Sequence, residues 1–232
     1  MLDQVWEIDR FPQQDEEFRA LSYYRQIGGN VCNSAQILAQ LGHQVELISS
    51  LADDTDASWI RQQLNNGQID DKNCPIHQRT KSPVSCIWLN KENGSRTITH
   101  YRDLPELELE HLNKIEVEDY DWIHFEGRNI QNLLQYLGST ASHIKIKRSL
   151  EIEKDRPQIL ELLRFMDTVI VSNAYLRQKS VSAENCIKQL RAINDKLNIV
   201  CTLGEQGLQG MDKNGVLIKM EAEPVSQVID LS

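Results

Sequence analysis

Basic residues are in deficit: 25 Lys and Arg stand against 34 Asp and Glu, a formal charge of −9. Neither nucleic acid nor an anionic membrane is drawn to such a surface as a whole, so neither is expected as a partner. A run of about 18 apolar residues, long enough to cross a bilayer, is missing, and so is a charged-then-apolar leader; the expectation is a soluble, cytoplasmic chain. The five cysteines, Cys32, Cys74, Cys86, Cys186 and Cys201, are odd in number and widely spaced, with no C-x-x-C. That excludes a disulfide framework and a zinc site and leaves buried free thiols. His43, His77, His100, His111, His124 and His143 are equally dispersed, without metal-ligand spacing, and His124, inside an apolar strand, reads as a core histidine. No Ser/His/Asp or Cys/His arrangement can be argued from this order, and no repeat or low-complexity stretch breaks the chain.

What is present is an alternation of strands and helices. At 232 residues the chain can bury one substantial core, so one main domain is expected. Short strands fit residues 1–27. A helix follows to Gly42, then a strand over 45–48, a helix behind Asp53-Asp54-Thr55, and a hairpin of residues 84–89 and 95–100 turning at 90–94. The sequon Asn93-Gly94-Ser95 falls in that turn and is read as turn chemistry. From residue 119 the unit is strand–helix, repeated: strands over 122–125, 146–152, 168–171 and 199–203, helices over 130–138, 159–166 and 183–196, and a last strand pair around 211–216 with no helix after 224. This is an α/β chain with a parallel sheet covered on both faces and a smaller β layer set apart.

One stretch reads as a site. Gly28-Gly29-Asn30 opens a helix whose first turn carries a second amide, Asn33. Paired glycines allow close backbone approach and positive φ, and the unbonded N–H groups of a helix start attract oxygen-rich groups. Asn30 is a natural N-cap, and Val31, Ala35, Leu38, Ile37 and Leu41 make an apolar stripe, so an ordinary capped helix accounts for all but Asn33 and the second glycine. In open α/β sheets ligands lie beyond the carboxyl ends of the strands. There the chain places Glu126-Gly127-Arg128-Asn129, Glu153-Lys154, Ser172-Asn173 and Gly204-Glu205-Gln206-Gly207. A solvated loop explains any one of these alone; four in successive turns suggest a site. Carboxylates and amides such as Asp3, Asp15, Asn30 and Asn33 suit sugar hydroxyls, and Arg128 suits a hydroxyl or a phosphate. Gly204, Gly207 and Gly210 do not form a dinucleotide fingerprint, because the spacing differs and a strand follows.

Four segments carry a resemblance: Gly28-Gly29-Asn30 with Asn33 and Leu41-Gly42; Gly94-Ser95-Arg96-Thr97-Ile98; Trp122-Ile123-His124-Phe125-Glu126-Gly127-Arg128-Asn129; and Glu151-Ile152-Glu153-Lys154. Together they are similar to the ribokinase-like, PfkB-type sugar kinases, in register through essentially the whole chain, the third segment pointing to the ketohexokinase branch. The resemblance implies a three-layer ribokinase-like α/β sheet covered by helices, with a β-clasp lid drawn from about 1–28 and 82–102, in a single kinase domain over 1–232. It further implies homodimerisation through the clasp and ATP-dependent phosphorylation of the fructose 1-hydroxyl, with Mg2+ as the cation or K+ as activator. By position, Asp3, Asp15, Gly29, Asn30, Asn33 and Arg96 match the sugar-contacting set, and Arg128 faces the transferring phosphate. Asn173, Gly204, Glu205 and Gly207 match the nucleotide-side loops, with Leu203 where the branch often has an aromatic. Such kinases take their anion hole and catalytic base from a Gly-Ala-Gly-Asp segment, expected shortly after Val228-Ile229-Asp230, and lead into Leu2-Asp3 by an apolar strand. Neither is in this sequence, so the expectation is a chain incomplete at both ends and inactive by itself. The alternatives are a pseudokinase that binds sugar or dimerises, or a kinase of adenosine, ribose or another ketose.

Overall fold

The computed structural model describes residues 1–140 and 146–223. His143 and the tail from 224, where no helix was expected, lie outside these. The described residues divide into two compact units, the first over Met1–Leu107 and the second from Glu108 onward; each is described by itself.

In the first unit the elements run β1 (Leu2–Ile8), β2 (Ser22–Ile27), α1 (Asn30–Gln40), β3 (Val45–Glu46), β4 (Leu51–Ala52), α2 (Thr55–Asn66), β5 (Ile69–Asp70), β6 (Ile76–His77), β7 (Val84–Asn90) and β8 (Arg96–Tyr101). Four strands form one sheet in the order β2-β1-β7-β8. β1 and β7 are parallel, and β2 and β8 flank them antiparallel. The hairpin turn is held by Asn90, whose side-chain oxygen accepts from the N–H of Glu92 at 2.9 Å, and by Asn93 Oδ1 accepting from Ser95 N at 2.9 Å. That uses the sequon asparagine as turn chemistry. Helix α2 is capped by Asp54, which accepts from Ala57 N at 2.8 Å and buries Ala57, Ile60 and Leu64 at helical spacing. Leu2, Ile27, Cys32, Ala35, Ile60, Leu64 and Ile69 make the core.

Two expectations for α1 are corrected. Its N-cap is Gly29, with no side-chain cap bond, and Asn30 is the first helical residue; the glycine pair turns the chain so that the amide enters the helix instead of preceding it. The buried face is Cys32 and Ala35, whereas Ile37, Leu38 and Leu41 are exposed. Small side chains let the helix lie close on the core, and the large ones point away. Gly42 closes the helix as expected: its N–H reaches Ala39 O at 2.9 Å and that of His43 reaches Leu38 O at 3.1 Å, a Schellman closure. The strand expected over 45–48 is only β3, two residues long.

The second unit runs α3 (Leu109–Leu112), β9 (Trp122–Glu126), α4 (Ile130–Thr140), β10 (Lys147–Ile152), a 3-10 helix (Ile159–Phe165), β11 (Thr168–Val171), α5 (Asn173–Lys179), α6 (Ala183–Ile193), β12 (Asn198–Thr202), β13 (Leu208–Met211) and β14 (Leu217–Met220). The sheet order is β14-β13-β12-β11-β10-β9, with β9 through β12 parallel and the last two antiparallel. Leu150, Ile152, Val169, Val171, Ile199 and Cys201 line one fully buried face; Ile170 and Val200 on the other are half-buried. The segment expected as an α-helix over 159–166 is the 3-10 helix, entered from Gln158 at φ 65. The tighter turn still buries Ile159, Leu162 and Leu163. Helix α6 stops at Ile193, short of 196, because Asn194 leaves helical geometry and donates to Leu163 O at 2.9 Å. Helix α5 was not expected, although Ser172 caps it through Tyr175 N at 3.0 Å and Arg177 and Lys179 suit its last turn. All five cysteines are free; Cys32, Cys186 and Cys201 are buried, but Cys74, in the loop before β6, and Cys86, on β7, are only half so.

Candidate functional site

In the first unit the pairing of β1 with β2 brings Asp3 to Gly28. Gly28 N donates to Met1 O at 3.0 Å, and a Cβ on Gly28 would fall 2.0 Å from Asp3 Oδ2. Only a residue without a side chain fits against that carboxylate. Gly29 then takes φ 109 and ψ 134, conformations reserved for glycine, and starts α1; its carbonyl accepts from Asn33 N at 2.9 Å. Asp3, the glycine pair and the amides Asn30 and Asn33 are thereby gathered at one end of β1. Asp3 is 7% exposed and accepts a hydrogen bond from Ser85, yet Oδ1 has no partner among the described residues. Burial pushes its carboxyl above the usual carboxylate range, against the Ser85 bond and the charges of the chain's first amine, His100 and Arg96. An unsatisfied buried carboxylate oxygen is what a ligand hydroxyl would complete.

Asp15 and Arg96 are not gathered in the same way. Asp15 is exposed, at φ 60, in the loop between β1 and β2, beyond the end of β1 opposite Asp3. That end is about 17 Å of strand away. Residues of this loop, Pro12 and Phe18, lie with Trp6, Ile8, Tyr23 and Trp88 around a cavity of about 580 Å³. Alternation puts Trp6 and Trp88 on the sheet face opposite Asp3 and Ser85. Arg96 stands at the exposed start of β8, on Asp3's face but in the row of Glu7 and Leu89, two rows along that face.

In the second unit Arg128, Asn173 and Gly204 follow the carboxyl ends of the parallel strands β9, β11 and β12, so they share one edge of the sheet. Arg128 Nε donates to Glu126 Oε1 at 2.6 Å, which fixes the guanidinium beside the strand end, and its N–H bonds to Glu126 O at 2.7 Å. This pair was not anticipated; the i, i+2 spacing across Gly127 was its signal. Asn173 is the first residue of α5, behind Ser172, whose hydroxyl also donates to Glu153 O at 2.8 Å and ties two loops together. Gly204, Glu205 and Gly207 form the tight turn into β13, closed by Leu203 N on Gly207 O at 2.8 Å. Gly207 has a packing reason as well, since a Cβ there would meet Met220 O at 2.0 Å. β13 follows Gly207 as expected, and Gly204 opens a three-residue 3-10 turn, Gly204–Gln206, instead of the α-helix of a dinucleotide site. The edge offers a guanidinium, an amide and open backbone at Gly204, a donor set that fits phosphate and a flat base. Among the described residues no three His, Cys, Asp or Glu side chains are grouped so as to hold a metal ion. His124 is hydrogen-bonded to Ser149 Oγ at 2.8 Å, and burial lowers its pKa below the usual imidazole range. No helix of the described residues is long and apolar enough to cross a membrane.

The profile of the pfkB family carbohydrate kinase matches residues 3–231. The chain is 28% identical to a Mus musculus ketohexokinase over 242 aligned positions, covering 99% of this chain and 80% of that protein. Among solved structures, the Arabidopsis thaliana ribokinase complexed with ribose and ATP superposes with a TM-score of 0.78 at 17% identity, covering 99% of this chain and 77% of that one. The Methanocaldococcus jannaschii nucleoside kinase, a member of the ribokinase family, superposes at 0.73 and 18%, covering 99% and 76%. These structural likenesses establish an α/β ribokinase-like fold.

Proposed function

The chain belongs to the pfkB family of carbohydrate kinases, and from that we propose that its site accepts a ketose, with fructose phosphorylated on its 1-hydroxyl at the expense of ATP. The observation that carries the reading is Asp3: a buried carboxylate with one oxygen lacking a partner among the described residues, backed by Gly28. Accepting from a ligand donor would offset the burial of such a group, and sugar hydroxyls are donors. Gly29, Asn30 and Asn33 flank it and Arg96 shares its sheet face; Asp15, remote from Asp3 within one chain, remains a proposed sugar contact. A ketose is preferred to ribose or a nucleoside because the 28% identity to a ketohexokinase runs over 99% of the chain.

On the nucleotide side, Asn173, Gly204, Glu205 and Gly207 are proposed to receive ATP, which supplies the phosphoryl group when bound. Arg128, oriented by Glu126, would neutralise charge on the transferring oxygens, a task suited to a fixed guanidinium. Mg2+ or K+ is implied by the family only, and no step here runs through it. A single kinase domain, pairing through the clasp strands into a homodimer, and a cytoplasmic location complete the proposal. Phosphoryl transfer also needs a group to take the hydroxyl proton. The 232 residues hold no Gly-Ala-Gly-Asp. Loss of a general base commonly costs ~10²–10⁴-fold, so these residues by themselves are proposed to bind without turnover.

Calorimetric titration of the purified chain with fructose, ribose and adenosine tests the assignment. Fructose is expected to bind best and Asp3→Asn to abolish it; tighter binding of adenosine or ribose would overturn the ketose assignment. Fructose 1-phosphate production at ordinary kinase rates would overturn the proposed inactivity.

A further inference from the structure

Asp3 sits in a row of polar side chains that crosses three strands. Asp3 pairs with Ser85 on β7, and Ser85 pairs with His100 on β8. In the antiparallel β7–β8 pair directly opposed residues have Cβ atoms about 4.5–5.5 Å apart, and in the parallel β1–β7 pair the neighbouring strands lie about 4.8 Å apart, gaps that one hydroxyl bridges. Asp3 and Ser85 are 7% and 4% exposed, while His100 lies at the exposed outer end. Ser85 Oγ is 3.2 Å from His100 Nδ1, and the same hydroxyl is bonded to Asp3.

We propose that His100, acting through the Ser85 hydroxyl, is a positioning residue that holds Asp3 so that its Oδ1 is presented to a substrate hydroxyl. The proposal rests on Asp3 being the sugar-side carboxylate.

Proton accounting sets the direction of the row. Serine has one hydroxyl proton, and the acceptors within reach are the Asp3 carboxylate, the Met1 sulfur at 3.4 Å and, in the tautomer with its proton on Nε2, His100 Nδ1 at 3.2 Å. The charged oxygen is much the stronger acceptor, so the proton goes to Asp3. Ser85 Oγ can then only accept from His100, which fixes that imidazole with its proton on Nδ1. The row therefore reads Nδ1–H to Oγ–H to carboxylate, each bond polarising the next. Gly28 closes the other side: with backbone this near, the carboxylate cannot swing out of the row. One oxygen is spent on the row, and Oδ1 is left pointing at no partner among the described residues. The groups facing Asp3 are the chain's first amine on its own strand, His100 and Arg96 on β8, and the Cys32 thiol of α1; Gln26 is its pair on β2.

The test is a carbon-13 NMR titration of the Asp3 carboxyl, assigned with Asp3→Asn, run on the full chain beside fructose calorimetry. Ser85→Ala is expected to move the Asp3 titration to higher pH and to weaken fructose binding about tenfold or more, the worth of a hydrogen bond to a charged group. Ser85→Thr, which keeps a hydroxyl, should restore both. His100→Phe, at an exposed position, should move both in the same direction by less. Arg96→Gln is the through-space control, and its effect on the titration, unlike that of Ser85→Ala, should vanish at high salt. An Asp3 titration unmoved by Ser85→Ala and His100→Phe would overturn the proposal. If the titration moves as expected but the unaltered chain takes up no fructose, the positioning row is supported and the ketose assignment is what fails.

Discussion

Substituting the two glycines before α1 separates close approach from backbone strain. Gly28 has an ordinary φ, yet an alanine Cβ there would lie 2.0 Å from Asp3 Oδ2 and 2.4 Å from Oδ1. The carboxylate must move, and moving it breaks the bond from Ser85. Overpacking of about 1–3 kcal/mol and a lost charge-assisted bond of about 1.5–3 kcal/mol give an expected cost of roughly 3–5 kcal/mol for Gly28→Ala. Gly29 is the opposite case: φ is 109, and a Cβ would meet nothing within 4 Å. Its replacement by alanine costs only strain, about 1–3 kcal/mol. The discriminating measurement is a double-mutant cycle with Asp3→Ala, read from urea midpoints. In the Asp3→Ala background Gly28→Ala should cost less than about 1 kcal/mol, while Gly29→Ala should cost the same as before, within about 0.3–0.5 kcal/mol. Equal costs for Gly28→Ala in both backgrounds would show that the carboxylate does not rest on that glycine and would refute the steric argument.

Other outcomes follow from particular contacts. Asp3→Asn should raise the urea midpoint at pH 7 and leave it unchanged near pH 3. Burial raises the folded carboxyl above its unfolded value, so the native state binds the extra proton and loses stability as pH climbs through that window. Asp54→Ala removes the cap on α2 and the bonds Asp54 accepts from Ser82 N at 2.8 Å and Ser82 Oγ at 2.7 Å, at a cost of about 2–3 kcal/mol in denaturation at pH 7. Burial works against that carboxylate, but the Ser82 and Ala57 bonds outweigh it and hold its pKa low. The advantage over Asp54→Ala should thus be full above about pH 4 and fade as pH falls below it. Ser149→Ala strips a partner from Trp122 Nε1 at 2.7 Å and from His124, so the tryptophan emission should change and stability fall by about 1–2 kcal/mol. Because burial lowers the His124 pKa, stability should also decline as pH drops below about 6.5, and His124→Phe should flatten that decline. Cys74, pushed up to about 11 by burial, should react slowly with a thiol reagent at neutral pH and faster as pH approaches that value.

Periodicity and turn chemistry alone determined most of the elements. The strand–helix alternation after residue 119, the Asp54 cap, the Asn90 hairpin and the Gly42 closure are local physics, written in spacings of two, three and four residues and in residues that tolerate particular φ angles. The carboxyl-edge residues Arg128, Asn173 and Gly204 were equally legible, because parallel strands place every strand-to-helix turn on the same edge. The tertiary structure decided what depends on neighbours distant in sequence. Which side of α1 is buried turned on how closely the helix approaches Leu2 and Leu64, so Cys32 and Ala35 faced inward where a hydrophobic stripe had promised Ile37 and Leu41. The 3-10 geometry of Ile159–Phe165 and the stop at Asn194 came from packing and a bond across 31 residues. Ser85 and His100 could not be singled out by their own surroundings in the chain. Only the register of β1 with β7, and of β7 with β8, sets them in line with Asp3, and register is a property of the assembled sheet.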